Sequence, residues 1–593
     1  MNPVTARPPA ARPVAANTVE RVRAAYAAIG AAGRPEVWIT LRPASEAEAE
    51  AAEIDARVTD GADLPLAGLV VAVKDNIDVA GMPTTAAAPS FSYRPEEDAT
   101  AVARLRAAGA VVLGKTNLDQ FATGLVGTRS PHGAVRNAWD QARISGGSSS
   151  GSAVAVALGL VDLALGTDTA GSGRVPAALN GVVGVKPTRG VIPATGVVPA
   201  CRSLDCVTVF ARSLDLARKA VTTMAGPDGH DPLAALLGDR PRGAWRLPPG
   251  DSAPGDRAPG DRAPRDMAPK VAVPLPAQLD GLADGWAEAF AAAVSTLGMA
   301  GVETAEVDIT PLLEAAALLY GGAFVAERYT AVGGHIAANT GLIGTDLDPV
   351  VARIILDGAR FTAADLFADQ QRLDRLAARA AAVLAGFDAL LTPTTTAHPT
   401  LADVAADPVG VNAGLGRYTN FANLLDLASV AVPAGTVRGL PFGIMLTGPA
   451  GGDARLAEIA RRYDQAPVDL LVVGAHLSGE PLNHELLAAG GILVGPAATA
   501  KRYRLLALDT TPPKPGLVRE AHGGASIPGE VWRLPAAGFA RFMAGLASPM
   551  AVGLVCLDDG RDVLGFLCEP AATAGAADIT GYGGWRAWRE ALR

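Results

Sequence analysis

The chain has 593 residues and a formal net charge of −9 at pH 7, and 49% of its residues are apolar. This length allows more than one domain and a large core. The acidic balance argues against nucleic-acid binding, and no apolar stretch is long enough to span a membrane. The four cysteines lack metal-ligand spacing and fit free thiols in a reducing compartment, so the sequence predicts a cytoplasmic globular protein.

The first predicted elements are two helices, at 17–30 and 44–58, with a possible short strand between them. Their alanine, glutamate and arginine content is typical of amphipathic helices. A β-branched run at 66–73 predicts a buried strand, and Lys74 follows at its end. Burial there lowers the pKa of the amine and leaves a neutral fraction that can accept a proton. The alternatives are a lysine that extends into solvent and a base at Lys115, after the next predicted strand.

The central stretch consists of two glycine- and serine-rich segments, at 146–152 and 166–173, that flank a short apolar run. The run, at 153–165, is too short to span a membrane and too apolar for a loop. It predicts a buried helix at 152–160 followed by a buried strand at 161–166. Hydroxyl and backbone N–H groups then lie together in a dry interior, which suits acyl transfer.

Two other interpretations of this stretch are possible. Residues 147–151 also fit a loose G-x-S-x-G pattern, which makes Ser149 the nucleophile of an α/β-hydrolase. That motif requires a strand directly before it, and the polar residues at 135–140 are a poor strand. A flexible linker is the other alternative, but linkers do not enclose an apolar run such as ALGLVDLALG.

The segments SGGSSSGS and TDTAGSG, with VAVKDNID upstream, resemble the signature of the amidase signature family of Ser–cisSer–Lys amidohydrolases. The resemblance implies that Ser172 is the nucleophile, Ser148 the bridging cis-serine and Lys74 the base. It also implies an oxyanion hole formed by the backbone N–H groups of Thr169, Ala170, Gly171 and Ser172. The implied fold is α/β, with a mixed central sheet covered by helices. This chemistry requires no metal and no other cofactor.

A helix is predicted at 311–340, and its sequence LLY…VAERY resembles a pattern in one subgroup of the family, the allophanate hydrolases. In that subgroup a tyrosine and an arginine hold the small substrate, which implies these roles for Tyr320 and Arg328. Eight residues apart on one helix, they differ by about 80° around its axis and can point into one cleft. The alternative is an arginine on a solvated helix face. Gly124 is a candidate for the pocket wall, with plain packing as the alternative.

The domain organisation follows from changes in composition along the chain. The amidase resemblance predicts a first domain at 1–465 and a C-terminal domain at 466–593. Within the first domain, residues 226–269 are rich in proline, glycine, aspartate and arginine, which predicts a disordered insertion.

The C-terminal domain contains several predicted short strands and a hairpin turn at 558–561. It resembles the accessory domain of allophanate hydrolases, a small α+β domain similar to the γ-glutamylcyclotransferase-like barrel. In that subgroup a histidine of the motif found here as GAHLSGEPLNHEL supports a second step. We assign this role to His484, and His476 is the other histidine of the motif.

Both resemblances together imply an enzyme that releases ammonia from allophanate through an acyl-enzyme. N-carboxycarbamate then forms, and the C-terminal domain promotes its decarboxylation, so the net products are ammonia and carbon dioxide. The implied partners are the small substrate, a second copy in a homodimer, and a biotin-dependent urea carboxylase or an s-triazine pathway as the source of substrate. The alternatives are an amidase for another small amide and the amidase-like subunit of a tRNA-dependent amidotransferase.

Overall fold

The computed structural model describes residues 17–236, 268–489 and 491–592. The chain forms two compact units, Met1–Arg461 and Arg462–Arg593. Each unit has its own hydrophobic core, and each is described by itself below.

An eleven-stranded mixed sheet lies at the centre of the described part of the first unit. Its order is β1-β3-β2-β4-β6-β5-β10-β11-β9-β7-β8, with β2 parallel to both β3 and β4 and most other pairs antiparallel. The predicted α/β fold with a mixed central sheet is therefore confirmed. The strands are β1 (Trp38–Leu41), β2 (Val70–Lys74), β3 (Val111–Thr116), β4 (Leu163–Asp168), β5 (Val183–Lys186), β6 (Cys206–Ala211), β7 (Lys270–Pro274), β8 (Glu303–Val307), β9 (Ala389–Pro393), β10 (Ala428–Val437) and β11 (Leu440–Gly448).

Helices accompany this sheet, and the two predicted N-terminal helices are the first of them. The first begins at Asn17, whose side chain accepts a hydrogen bond from the Glu20 N–H, and ends at Gly33 in the left-handed conformation. In chain order the helices are α1 (Thr18–Ala32), α2 (Ala44–Thr59), α3 (Thr100–Ala107), α4 (Ser150–Ala157), α5 (Val175–Asn180), α6 (Leu214–Met224), α7 (Pro232–Leu236), α8 (Trp286–Met299), α9 (Thr310–Gly321), α10 (Ala326–Ala338), α11 (Pro349–Asp357), α12 (Ala363–Val383), α13 (Leu401–Ala406), α14 (Gly410–Leu415), α15 (Asn420–Leu424) and α16 (Asp453–Asp464).

The predicted buried helix and strand of the central stretch are both present, as α4 and β4, each displaced by a few residues. Every residue of α4 and β4 is buried. The helix stops before Gly159, which has a φ of +68° and so favours a glycine. Small side chains let α4 pack closely in the core, and this packing brings both glycine- and serine-rich segments to the interior.

The single helix predicted at 311–340 is wrong, because the structure has two helices, α9 and α10, joined through Gly322. Gly322 is extended, with φ −124° and ψ −172°. A side chain at this position would meet the Asp369 carboxylate, which accepts the Ala323 N–H at 2.7 Å. The Gly321-Gly322 pair and the acceptor at Asp369 therefore turn the chain at this point.

The described residues of the second unit form a five-stranded sheet, in the order β13-β16-β12-β18-β17, and a three-stranded sheet, β15-β14-β19. The predicted turn at 558–561 joins the antiparallel pair β17 and β18. The elements are β12 (Val468–Val472), α17 (Asn483–Ala488), β13 (Ile492–Ala498), β14 (Tyr503–Leu508), β15 (Lys514–Arg519), β16 (Pro528–Leu534), α18 (Ala536–Ala544), β17 (Met550–Cys556), β18 (Asp562–Cys568), β19 (Ala577–Asp578) and α19 (Trp585–Ala591).

Of the predicted insertion at 226–269, residues 237–267 lie outside the described residues. Its beginning has defined structure, since α7 follows a turn in which Asp231 accepts the Leu233 N–H at 2.9 Å. None of the helices that the structure describes is long and apolar enough to cross a membrane.

Candidate active site

Lys74 is the last residue of β2, and its side chain is fully buried. Its Nζ lies 2.8 Å from Ser148 Oγ and 2.8 Å from Thr167 Oγ1. Burial lowers the pKa of Lys74 to about 7, although the carboxylate of Asp119 opposes the shift. A large neutral fraction is therefore present near neutral pH, as expected for a lysine that accepts a proton.

Ser148 lies in the loop before α4, and the Gly147–Ser148 peptide bond is cis. The Ser148 carbonyl accepts the Asp119 N–H at 3.1 Å. A side chain at Gly147 would collide with the Asp119 carboxylate, so the loop requires a glycine there. These contacts fix the backbone that presents the Ser148 hydroxyl to Lys74.

Ser172 lies in the loop between β4 and α5 and is buried. Its hydroxyl donates to the Gly124 carbonyl at 3.4 Å, so the predicted nucleophile and the predicted pocket-wall residue are neighbours. Among the described residues, no hydrogen bond joins Ser172 Oγ to Ser148 Oγ. A relay through Ser148 therefore requires the Ser172 hydroxyl to turn away from Gly124.

The loop before Ser172 is held by a buried ion pair that the sequence analysis did not identify. Arg174 donates to both carboxylate oxygens of Asp168, at 2.8 and 2.9 Å, and keeps the pKa of Asp168 below its ordinary value against the effect of burial. The same carboxylate accepts the N–H groups of Gly171 at 2.8 Å and Gly173 at 2.9 Å.

This arrangement corrects the predicted oxyanion hole. The Gly171 N–H already donates to Asp168 and is not free to meet an oxyanion. Within the described residues, three N–H groups of the predicted set have no acceptor, namely those of Thr169, Ala170 and Ser172. Gly171 instead shapes the loop, because its φ of +130° favours glycine and a side chain there would collide with Thr419.

Two further buried groups hold the loop. The Thr419 hydroxyl donates to the Ala170 carbonyl at 2.7 Å, and the Thr169 hydroxyl donates to Asp205. Burial raises the pKa of Asp205 to about 6, and the carboxylate also accepts the Ala200 N–H at 2.9 Å. The loop is therefore fixed before any substrate binds, as preorganised oxyanion donors require.

Arg328 and Tyr320 lie on different helices, α10 and α9, but their side chains meet. Arg328 is only 1% exposed; its Nη2 donates to Tyr320 Oη at 3.0 Å and its Nη1 to Thr123 Oγ1 at 3.0 Å. The guanidinium also lies over the Tyr320 ring, 5.1 Å from the centroid. These contacts exclude the solvated arginine, and they place Arg328 beside the residue that precedes Gly124.

Thr167 is another residue that the sequence analysis missed. It precedes the end of β4, and Lys74 ends the parallel neighbour β2, so both residues lie at the same edge of the sheet. The signal was present in the sequence as a hydroxyl residue at the end of the predicted strand. The contact of Thr167 with Lys74 could be recognised only from the pairing of these two strands.

The second unit contains a small cavity of about 70 Å³ lined by His476, Glu485 and Lys514. The His476 Nε2 lies 2.9 Å from Glu485 Oε2, and its ring stacks on Phe566 at a centroid distance of 5.0 Å. Burial lowers the pKa of His476, although Glu485 opposes this shift. The Glu485 carboxylate and the Lys514 side chain therefore line the same cavity as the His476 imidazole.

The structure places His484, to which the sequence analysis assigned the second step, away from this cavity, and its role stays a prediction. His484 is exposed, and its Nδ1 lies 2.8 Å from the Pro481 carbonyl. It is the second residue of α17 and does not line the cavity that contains His476. In the parts of the chain that the structure describes, no group of three or more His, Cys, Asp or Glu side chains is arranged to hold a metal ion.

The comparisons with known proteins agree with this geometry. Residues 20–457 match the amidase family, and residues 468–590 match the allophanate hydrolase C-terminal domain. The solved structure of the allophanate hydrolase of Kluyveromyces lactis is similar, with a TM-score of 0.67 and 38% identity over 98% of this chain and 97% of that chain.

This chain covers very different shares of the length of two curated relatives. The urea amidolyase of Lachancea kluyveri is 41% identical over 89% of this chain, which spans 30% of that relative. A glutamyl-tRNA(Gln) amidotransferase subunit from Symbiobacterium thermophilum is 35% identical over 76% of this chain and 92% of that relative. The match to the amidase model over most of its length shows that the chain belongs to the amidase family, whose members hydrolyse amide C–N bonds.

Proposed function

We propose that the chain hydrolyses allophanate. The observation that carries this proposal is the buried guanidinium of Arg328, held by Tyr320 and by Thr123, the residue before Gly124, with its Nε left without a partner. A buried arginine with an unused donor suits the terminal carboxylate of a small ureido acid. The likeness to a solved allophanate hydrolase over almost the whole chain supports this substrate.

The proposed acylation uses Lys74, Ser148 and Ser172. Neutral Lys74 accepts the proton of the Ser148 hydroxyl, which in turn takes the proton of Ser172 as its Oγ attacks the terminal amide carbon. The oxyanion that forms is stabilised by N–H groups of the loop, among them those of Ala170 and Ser172. Removal of one such donor costs about 3–4 kcal/mol of transition-state stabilisation in a comparable hydrolase.

Collapse of the tetrahedral intermediate breaks the C–N bond. The proton held by Lys74 returns through Ser148 to the leaving nitrogen, so ammonia departs and an acyl-enzyme remains. A water molecule then attacks the acyl carbon, with its proton taken up along the same path. The released product is N-carboxycarbamate, and Ser172 regains its hydrogen.

The second step is proposed for the cavity of the C-terminal unit. The Lys514 ammonium offers a charge partner for a carboxylate, and His476 faces the same small space. Loss of carbon dioxide breaks a C–N bond whose electron pair stays on nitrogen, and we assign delivery of the proton to that nitrogen to His476. Carbamate remains and breaks down to ammonia and carbon dioxide, which gives the net products of the reaction.

The test is the time course of ammonia and carbon dioxide release from allophanate, with malonamide, indoleacetamide and glutamine in parallel. The wild type is expected to turn over allophanate alone, and Ser172→Ala to release no ammonia. His476→Ala is expected to release the first ammonia at the wild-type rate and to let N-carboxycarbamate accumulate. His484→Ala serves as the matched histidine control. Turnover of another amide in place of allophanate would reject allophanate as the substrate.

The identity with an amidotransferase subunit favours a second candidate, a glutaminase that works with partner chains. Glutamine turnover only after addition of other subunits would support that function. The matched C-terminal domain favours allophanate hydrolysis.

As part of the proposal of allophanate hydrolysis, the protein acts as a homodimer in the cytoplasm and receives its substrate from a biotin-dependent urea carboxylase or from s-triazine breakdown. The matches to proteins named urea amidolyase support the link to urea.

A further inference from the structure

The first unit contains a cavity of about 620 Å³ whose lining residues come from outside the Ser172 loop. Residues of α9, α11 and α14 contribute to its wall. We call it the arginine cavity, after three of its lining residues, Arg129, Arg360 and Arg417. Its volume is within the range of ligand pockets and exceeds what a small ureido acid needs.

The arginine cavity adjoins the candidate active site through shared residues. Tyr320 lines the cavity, and its hydroxyl accepts the hydrogen bond from Arg328 at 3.0 Å. Arg129 donates to the Thr123 carbonyl at 3.0 Å, and Asn412 accepts the Leu125 N–H at 2.8 Å. The segment from Thr123 to Leu125, whose Gly124 carbonyl contacts Ser172, is thus held by two cavity residues and one substrate-binding candidate.

The charges of the arginine cavity are unbalanced. Asp357 is the carboxylate among the lining residues, against three guanidinium groups. In the described residues, none of these arginines has a carboxylate within 4.0 Å. Arg129 and Arg417 donate to backbone carbonyls, and Arg360 lies over the Phe361 ring at 4.9 Å.

Two polar atoms of the lining also lack partners. The Nε of Arg129, a residue 3% exposed, and the Oδ1 of Asn420, a residue 8% exposed, are buried without a hydrogen bond. A buried donor without a partner costs free energy, and cavities that carry such groups are suited to polar ligands. The cavity therefore combines positive charge with unused hydrogen-bonding capacity, next to the segment that contacts the nucleophile.

We propose that the arginine cavity is the chamber through which a small carboxylate anion reaches Ser172, and that Arg360 steers it. This inference rests on the proposed function, because allophanate carries the carboxylate that the charge attracts. Charge of one sign in a cleft with low-dielectric walls raises the local concentration of an oppositely charged ligand. The anion then passes from the exposed Arg360 to the buried Arg328, where its carboxylate is held during the reaction.

The test varies the charge at position 360 alone. Arg360→Lys keeps the charge, Arg360→Gln removes it and Arg360→Glu reverses it. We expect kcat/KM for allophanate at low ionic strength to stay near wild type with lysine, to fall about threefold with glutamine and about tenfold with glutamate. At about 1 M salt, where the Debye length is about 3 Å, the differences are expected to disappear.

Arg353 supplies the matched control, since it is an exposed arginine on α11 that does not line the cavity. Arg353→Gln and Arg353→Glu change the net charge equally and are expected to leave kcat/KM unchanged. Thermal unfolding of each variant separates loss of folded protein from loss of steering. Equal effects at 353 and 360, or no effect at 360, would overturn the role of the cavity while the proposed function stands.

A binding measurement makes the inference independent of turnover. The association rate constant of allophanate with the Ser172→Ala variant is measured by stopped flow, with and without Arg360→Glu. A decrease of about tenfold with Arg360→Glu at low ionic strength is expected. Binding that follows this pattern without any turnover by the wild type would reject the proposed function and keep the chamber. Unchanged association would reject the chamber.

Discussion

Two lysines lie buried at neighbouring strand ends in the first unit, and their polar partners differ. Lys74 ends β2 and Lys115 lies near the end of β3, and these strands pair in parallel. The Lys115 Nζ is 3.1 Å from Asp75 Oδ1, whereas the Lys74 Nζ contacts the hydroxyls of Ser148 and Thr167. Burial lowers the pKa of both amines, and Asp75 opposes this shift directly at Lys115.

This difference shows that the polar partner of a buried lysine, and not burial alone, determines which protonation state is favoured. An adjacent carboxylate favours the ammonium form, because the pair neutralises a charge that would otherwise be costly to bury. Hydroxyl groups can donate to a neutral amine as well as accept from an ammonium group, so they permit both forms. Lys74 is therefore suited to exchange a proton, and Lys115 is suited to hold Asp75 and the loop that follows β2.

Removal of Lys74 is the strongest test of the difference between the two lysines. Lys74→Met keeps the length and burial of the side chain but has no basic nitrogen. We expect kcat for allophanate to fall by about 10³–10⁴, the upper range for a general base. Steady-state kinetics on protein with an unchanged circular dichroism spectrum measures this. Activity within tenfold of the wild type would show that another group takes the proton.

The matched change at the second lysine is expected to affect stability and not chemistry. Lys115→Met leaves the Asp75 carboxylate buried without its cation, which costs about 3–5 kcal/mol of unfolding free energy. The double variant with Asp75→Asn is expected to recover part of this loss, because no charge remains buried. Thermal unfolding measures the stability, and kcat per folded molecule is expected to stay near wild type. A loss of kcat equal to that of Lys74→Met would remove the distinction between the two lysines.

The pH dependence of kcat/KM tests the same comparison without altering the site. Lys74 must be neutral to accept a proton, and its pKa is about 7. Below that pH the neutral fraction falls, so kcat/KM is expected to decrease about tenfold per pH unit, and above about pH 8 to level off. The profile is measured with allophanate in buffers of constant ionic strength. A profile that rises as the pH falls below 7 would contradict a lysine base.

Much of this site could be predicted from the sequence, because its residues lie in continuous motifs. The resemblance of the serine- and glycine-rich segments, and of the segment around Lys74, to the amidase signature predicted roles for Ser148, Ser172 and Lys74, and the structure places Lys74 against Ser148. The alternation of apolar runs with turn residues identified most strands of the sheet for the same reason. Local sequence determines such elements, since propensity and burial pattern act over a few residues.

What could not be predicted depends on contacts between distant residues. Asp369 supports the break at Gly322 by accepting the Ala323 N–H, and it lies 46 residues beyond Ala323 in the chain. The use of the Gly171 N–H depends on where Asp168 points once Arg174 pairs with it. Our proposal of His476 in place of His484 rests on the cavity that His476 lines. In each case the argument depends on a contact or cavity of the folded structure and not on a local pattern.

A smaller effect than at either lysine is expected at Thr167, whose hydroxyl accepts hydrogen bonds from Lys74 and Asn76. Thr167→Val preserves the shape and β-branching of a buried residue in β4 and removes the acceptor 2.8 Å from Lys74 Nζ. Because an acceptor stabilises the ammonium form, its loss is expected to lower the pKa of Lys74 and to move the acid limb of kcat/KM to lower pH. The amine also loses one of its two anchors, so kcat is expected to fall about tenfold.

The second lysine again supplies the control, because the Thr84 hydroxyl lies 3.0 Å from Lys115 Nζ in the same way. Thr84→Val removes an equivalent hydrogen bond from a lysine that is paired with a carboxylate. It is expected to leave the acid limb unchanged, since Lys115 exchanges no proton in the reaction. Equal shifts in both variants would mean that the limb reports a general change in the sheet. A shift with Thr167→Val alone would assign the limb to Lys74, because each substitution removes a hydroxyl acceptor from one of the two buried amines.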